Sequence, residues 1–181
     1  MERAFPRALD RDACAARATF LERVTTTAAD RNIHVLVEGE DVDIPYRIYT
    51  ARDYGLWTAS PRQRSMVAAL LTRHANGYVR EANLRLILSL PEPWIAPFVV
   101  QLTGEYVWHI LALIWESVDA LDRSVYAAFL RANPAYYERT RQRVISYWDC
   151  YYRPGTHYGG TRDEYVGFKL LAYFDELIAT A

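Results

Sequence analysis

Residues 60–73 read SPRQRSMVAALLTR, and this stretch indicates the fold class of the chain. Ser60 is a favourable N-cap, Pro61 suits the first helical position, and Gln63 stands where the partner of a capping box belongs. An apolar run follows and ends before Asn76-Gly77, a pair typical of turns. The pattern therefore predicts a helix over this stretch.

The same order of cap, apolar run and breaker continues downstream. Asn133-Pro134 and Thr161 to Glu164 are further helix starts, and Pro91 is a stop. Further helices are predicted over about 78–90, 97–116, 121–131, 134–152 and 161–178. Short connections between consecutive helices favour antiparallel neighbours. We expect a mainly α fold of six to seven helices in antiparallel pairs.

The N-terminal third is predicted to be mixed. Residues 10–30 have apolar side chains at helical spacing, which indicates a first helix. Residues 33–49 change to a period of two, typical of a small β-hairpin, although a helix plus a loop remains the alternative. Pro45 would confine the second arm to a sheet edge. We expect one domain over residues 1–181, with the N-terminal helix and hairpin in 1–59 and the helical core in 60–181.

Composition narrows the class of protein. The chain of 181 residues is 51% hydrophobic and 24% charged, which is ordinary for a globular protein and excludes disordered and collagen-like chains. A net charge of -1 provides no long-range attraction for nucleic acids or acidic membranes. Lys169 is the only lysine, which is typical of a GC-rich, bacterial-type composition. The N-terminus shows no apolar signal segment, so we expect a cytoplasmic protein that does not enter a membrane.

Residues 77–84, GYVREANL, resemble the second helix of HEAT-type repeats. In that family a Val-Arg pair near the helix start, here Val79-Arg80, is followed by Ala and Leu on the packing face. The resemblance implies that the helices from Pro61 to Ile178 form three pairs in a curved α-solenoid with a concave surface that binds proteins or nucleic acids. Without it, the same helices would form an irregular bundle.

A narrow polar stripe follows the predicted helix over 97–116. Gln101, Glu105 and His109 are spaced by four residues, which places them on one helical face. One interpretation is a partly solvated face in which Glu105 and His109 satisfy each other. The other is a functional groove with an acid–base pair, although two such side chains do not complete a zinc site.

Basic and aromatic side chains alternate on the predicted helix over 134–152. Arg139, Arg143 and Tyr147 share one face, and Arg and Tyr are both enriched in protein-interface hot spots. The same mixture can also follow a phosphate backbone while bases stack on the rings. Arg47 and Tyr49 lie on the outer face of the proposed edge strand, where a partner could complete the sheet.

Catalytic motifs are absent from the sequence: it has no GxSxG, HExxH, CxxC or dinucleotide fingerprint. We therefore expect a non-enzymatic helical module that binds another protein and needs neither cofactor nor metal. The first alternative is a nucleic-acid-binding helical repeat protein. The second is an enzyme that uses Glu105 and His109 in a polar groove.

Overall fold

The computed structural model describes residues 3–20, 24–26, 31–50, 59–156 and 160–180. In these residues the fold is mainly α, as predicted, with eight α-helices and two small two-stranded antiparallel sheets. The chain divides into two compact units, Met1–Ile87 and Leu88–Ala181. The single domain expected over 1–181 stays a prediction.

The N-terminal unit combines helices with short strands. Its elements are α1 (Asp10–Phe20), β1 (Val24–Thr26), β2 (Ile33–Val37), β3 (Glu40–Ile44), β4 (Ile48–Thr50), α2 (Pro61–Leu71) and α3 (Gly77–Ile87). The predicted helix over 10–30 is too long, because α1 ends at Phe20 and Val24–Thr26 pairs with β4 instead. The β-branched residues of this segment explain the difference, since they favour a strand over a helix.

The β-hairpin is present but shorter than 33–49. β2 and β3 pair antiparallel through the two-residue turn Glu38-Gly39, in which both φ angles are positive (50° and 83°). Such a turn matches the right-handed twist of the strands, and glycine adopts it without strain. Pro45 follows β3 and has no N–H to donate to a ladder, so β4 pairs with β1 rather than prolonging the hairpin.

The capping box that begins α2 is confirmed. The Gln63 backbone N–H donates to Ser60 Oγ at 3.2 Å, and the Ser60 backbone N–H donates to Gln63 Oε1 at 3.0 Å. Arg80, on α3, is buried and donates from Nη1 to the carbonyls of His74 (2.8 Å) and Ala75 (2.9 Å). This arginine therefore holds the turn that joins α2 to α3.

The C-terminal unit contains the remaining five helices of the described chain. They are α4 (Ala96–Thr103), α5 (Trp108–Glu116), α6 (Arg123–Ala132), α7 (Pro134–Tyr147) and α8 (Val166–Thr180), and a π-helical turn, Trp148–Tyr152, extends α7. The single helix predicted over 97–116 is wrong, since the chain leaves the helix after Thr103 and resumes it at Trp108. No helix in the described residues is long and apolar enough to cross a membrane.

The last predicted helix start is displaced. Thr161 donates from its backbone N–H and its hydroxyl to Glu164 Oε2, each at 2.8 Å, but α8 begins only at Val166. The side chain of Glu164 thus closes a turn before the helix instead of completing its cap. Asp122, by contrast, caps α6 by accepting from the backbone N–H groups of Ser124 and Val125.

Helix packing in the C-terminal unit follows an irregular bundle. α8 packs against α5, α6 and α7, and α4 packs against α5, α6 and α7. Phe174 of α8 is fully buried, stacks on Tyr126 (6.1 Å between centroids) and meets Tyr137 edge-on (6.4 Å). In a solenoid each repeat contacts only its neighbours, so these contacts between distant helices favour the bundle alternative for this unit.

Candidate functional site

An aromatic cleft of about 630 Å³ opens in the C-terminal unit. Its walls come from the segment between α4 and α5, the first turn of α5, and the π-helical turn after α7. The lining residues are Tyr106, Val107, Trp108, His109, Tyr151 and Tyr152. This volume lies in the range of ligand sites, roughly 300–1,000 Å³, and π-helical turns often occur at functional sites.

The first wall exists because α4 ends against α7. A Cβ at Gly104 would lie 3.3 Å from Arg143 Cδ and 3.4 Å from Thr140 Cγ2, both on α7, so glycine allows the two helices to approach closely. The chain then leaves the helix and resumes it after Val107, the extended N-cap residue of α5. This break turns Tyr106 and Trp108 outward instead of leaving them inside a continuous helix.

The second wall is fixed by tyrosine packing. The Tyr152 hydroxyl donates to the Tyr106 carbonyl and joins the two walls, while its ring stacks on the buried Tyr165 ring at 4.9 Å. Burial raises the pKa of the Tyr165 phenol well above its usual range. A Cβ at Gly167 would lie only 2.5 Å from Tyr165 Cε1, so the absence of a side chain there makes room for this ring.

The rings at the cleft and beside it form two neighbouring groups. Tyr106, Tyr147 and Tyr151 contact one another with centroid distances of 5.8, 5.8 and 6.2 Å, and Trp108 lies 6.2 Å from Tyr152. Tyr106, Trp108 and Tyr151 are 49%, 42% and 47% exposed. A single exposed apolar side chain is normal on a protein surface, but several large exposed rings side by side are typical of a binding surface.

The polar stripe predicted on one helix is wrong. Gln101 is buried on α4, Glu105 is buried in the segment between helices, and His109 is exposed in the first turn of α5. Because the helix ends after Thr103, residues spaced by four in the sequence no longer share one helical face. Of these three residues only His109 lines the cleft, and the one-helix acid–base pair of Glu105 and His109 has lost its structural basis.

The predicted basic and aromatic face of α7 extends toward the cleft. Arg139 is exposed, Arg143 and Tyr147 are half-buried, and Tyr147 contacts two of the exposed rings. Arg47 and Tyr49 belong to the N-terminal unit. The Arg47 guanidinium lies 5.6 Å from the Tyr46 ring centroid, and Tyr49 on β4 is half-exposed. Their roles as contact residues remain predictions.

Sequence reasoning missed the aromatic residues that form the cleft. Tyr106, Trp108 and Tyr151 fit a helical apolar pattern, which favours a core position, yet all three are exposed. One signal was present for Tyr106 and Trp108: Gly104 lies two residues before Tyr106 in a mostly apolar run, and glycine weakens a helix interior. Nothing comparable in the sequence marks the π-helical turn that carries Tyr151.

Aromatic side chains provide most of the chemistry available at the cleft. Ring faces and edges dominate the lining, with the His109 imidazole as a polar group. Within the described parts of the chain, no three His, Cys, Asp or Glu side chains come together to hold a metal ion. A recess lined by rings of this kind provides a large contact area for a chemical group that becomes buried against them.

No family model, curated protein or solved structure matches this chain significantly. The HEAT-type resemblance of residues 77–84 therefore stays a prediction.

Proposed function

We propose that this chain is a non-enzymatic helical module that binds another protein, and that the aromatic cleft receives a side chain of that partner. The observation that supports the proposal is the cluster of Tyr106, Trp108 and Tyr151, each about half-exposed around one recess. Tyr and Trp provide large contact areas at low conformational cost, and both are enriched in the hot spots of protein interfaces.

The size of the cleft makes it an anchor rather than a whole interface. A buried aromatic ring removes roughly 150–250 Å² from water, so covering the exposed halves of three rings would remove about 200–350 Å². At about 25 cal/mol per Å², this corresponds to roughly 5–9 kcal/mol before the costs of association. A stable interface needs about 800 Å² on each partner, so further contacts must surround the anchor.

The additional contact residues that we propose are those predicted from the sequence. Arg139, Arg143 and Tyr147 continue the surface from the cleft along α7. Arg47 and Tyr49, on the N-terminal unit, are proposed as a separate contact patch. A HEAT-type pairing of α2 and α3 is part of the same proposal, because repeats of that type present surfaces to partner proteins.

A nucleic-acid-binding function is the second candidate, and one observation favours it. Tyr147 lies one helical turn after Arg143 and contacts the exposed rings of Tyr106 and Tyr151. A single strand could place phosphates near the arginines and stack bases on these rings. This candidate predicts an affinity that falls steeply with added salt, because neutralising phosphates releases counterions.

Selection from a displayed peptide library tests the main proposal. Wild-type protein serves as the bait, and selected peptides are measured against the Trp108→Ala/Tyr151→Ala variant. The matched control is Tyr78→Ala, which removes a ring that is 83% exposed on α3. Hot-spot losses of about 2 kcal/mol or more predict at least about 30-fold weaker binding by the cleft variant and unchanged binding by the control.

Two results would reject the proposal. One is a selection that enriches no peptide. The other is a set of peptides that binds wild type and the cleft variant equally well. Circular dichroism and thermal unfolding of every variant verify that weaker binding does not result from loss of the fold.

A further inference from the structure

Ring faces in this protein repeatedly contact arginine. In the described residues, guanidinium groups lie within about 6 Å of a ring centroid, the range of a cation–π interaction, at several positions. These pairs are Arg47 with Tyr46 (5.6 Å), Arg123 with Tyr173 (5.6 Å), Arg141 with Tyr137 (5.1 Å) and Arg162 with Phe168 (4.4 Å). Aromatic surface in this chain is thus a regular partner of guanidinium groups.

The cleft has the same kind of surface. Its described lining residues include four aromatic side chains and neither Arg nor Lys, and the rings of Tyr106, Trp108 and Tyr151 are about half-exposed. The ring pairs are inclined, at 35° for Tyr106 with Tyr151 and 41° for Trp108 with Tyr152, so each pair presents ring faces in more than one direction. The faces of such rings carry negative potential, and a cation of matching shape would complement them.

Among the cationic side chains of a protein partner, the guanidinium fits this surface best. It is planar, remains charged at any physiological pH, and is more weakly hydrated than an ammonium group. Taking it into a ring-lined recess therefore costs less desolvation than taking in a lysine. The recess is also large enough for the side chain, since its volume is about 630 Å³.

We infer that the aromatic cleft binds the guanidinium of an arginine side chain from the partner protein. This inference rests on the proposed function and specifies the group that enters the cleft. Trp108 and Tyr151, which come from the two different walls of the cleft, provide the ring faces that contact the cation.

A pair of small probes separates charge from shape. N-acetyl-arginine methylamide carries the guanidinium, and N-acetyl-citrulline methylamide replaces it with an uncharged urea of nearly the same size. Each probe is titrated into the ¹⁵N-labelled full chain while the indole N–H signal of Trp108 is followed by NMR. That signal is assigned by its loss in Trp108→Leu. We expect the arginine probe to bind about 5- to 30-fold more tightly than the citrulline probe.

Variants test where the preference arises. Tyr151→Leu keeps an apolar side chain but removes the ring face, so we expect it to lose most of the preference for arginine over citrulline. Tyr78→Leu makes the same change at an exposed ring on α3 and should keep the full preference. Backbone amide signals report binding in variants that lack the Trp108 indole.

The inference is overturned if wild type binds the two probes equally, if it binds neither, or if Tyr151→Leu and Trp108→Leu both keep the preference. Equal binding would leave an apolar anchor site, and the displayed-peptide selection would still decide whether the chain binds proteins. A failed selection together with a clear preference for arginine would instead leave a guanidinium site and remove the proposed function.

Discussion

Replacing Gly167 with alanine tests the packing that supports the cleft. The new Cβ would lie 2.5 Å from Tyr165 Cε1, 2.9 Å from Tyr165 Cζ and 2.9 Å from Val144 Cγ1. The Tyr165 ring has no simple escape, because it is buried, stacks on Tyr152 at 4.9 Å and meets Phe168 edge-on at 5.6 Å. The substitution therefore forces a shift of packed side chains or of the helix itself.

The expected magnitude follows from two opposing effects. Overpacking a core costs about 1–3 kcal/mol, and contacts this short belong near the upper end of that range. Alanine regains less than about 1 kcal/mol over glycine near the start of a helix. We expect the free energy of unfolding to fall by about 2 kcal/mol, measured by urea denaturation. Gly160→Ala is the control, since its Cβ would meet Glu164 Oε2 at an ordinary 3.5 Å.

A double-mutant cycle connects the loss to the ring. Tyr165→Leu removes the atoms with the shortest contacts. In that background Gly167→Ala should therefore lower the free energy of unfolding by at least about 1 kcal/mol less than it does in wild type. If Gly167→Ala is as stable as wild type, or if the cycle shows no coupling, the reasoning about this ring is refuted.

Three further predictions concern caps and buried hydroxyls. Ser60→Ala removes one half of the capping box of α2 and should lower the free energy of unfolding by about 1 kcal/mol in urea denaturation. Tyr137→Phe removes a buried hydroxyl that lies 2.9 Å from Asp175 Oδ1, and it should cost about 1 kcal/mol in the same assay. The hydrogen bond from the Ser124 side chain lowers the pKa of Asp122 below its ordinary 3.8, so the stabilisation by this carboxylate is present above pH 3.8 and disappears as the pH falls through the lowered pKa. The stability difference between wild type and Asp122→Ala, measured by thermal unfolding at several pH values, should therefore narrow in acid; a constant difference would contradict the assignment.

Local signals in the sequence were sufficient for much of the secondary structure. The Ser60 and Gln63 cap, the Pro134 start of α7 and the alternation in 33–44 all depend on residues within a few positions of each other, and each is found where expected. Predictions failed where a local pattern was compatible with two structures. The apolar run over 97–116 is compatible with one long helix and equally with two short ones.

The sequence by itself determined a mainly α fold, because helix caps, helix breakers and apolar periodicity act through neighbouring residues. Only the tertiary structure decided that Gly104 would end α4 against α7, and that Tyr106, Trp108 and Tyr151 would meet around one cleft. The physical reason is that the spacing of an apolar ring in the sequence is the same whether the ring lies in a core or in an exposed recess. Which of the two it enters depends on how distant helices pack, and no short stretch of sequence records that packing.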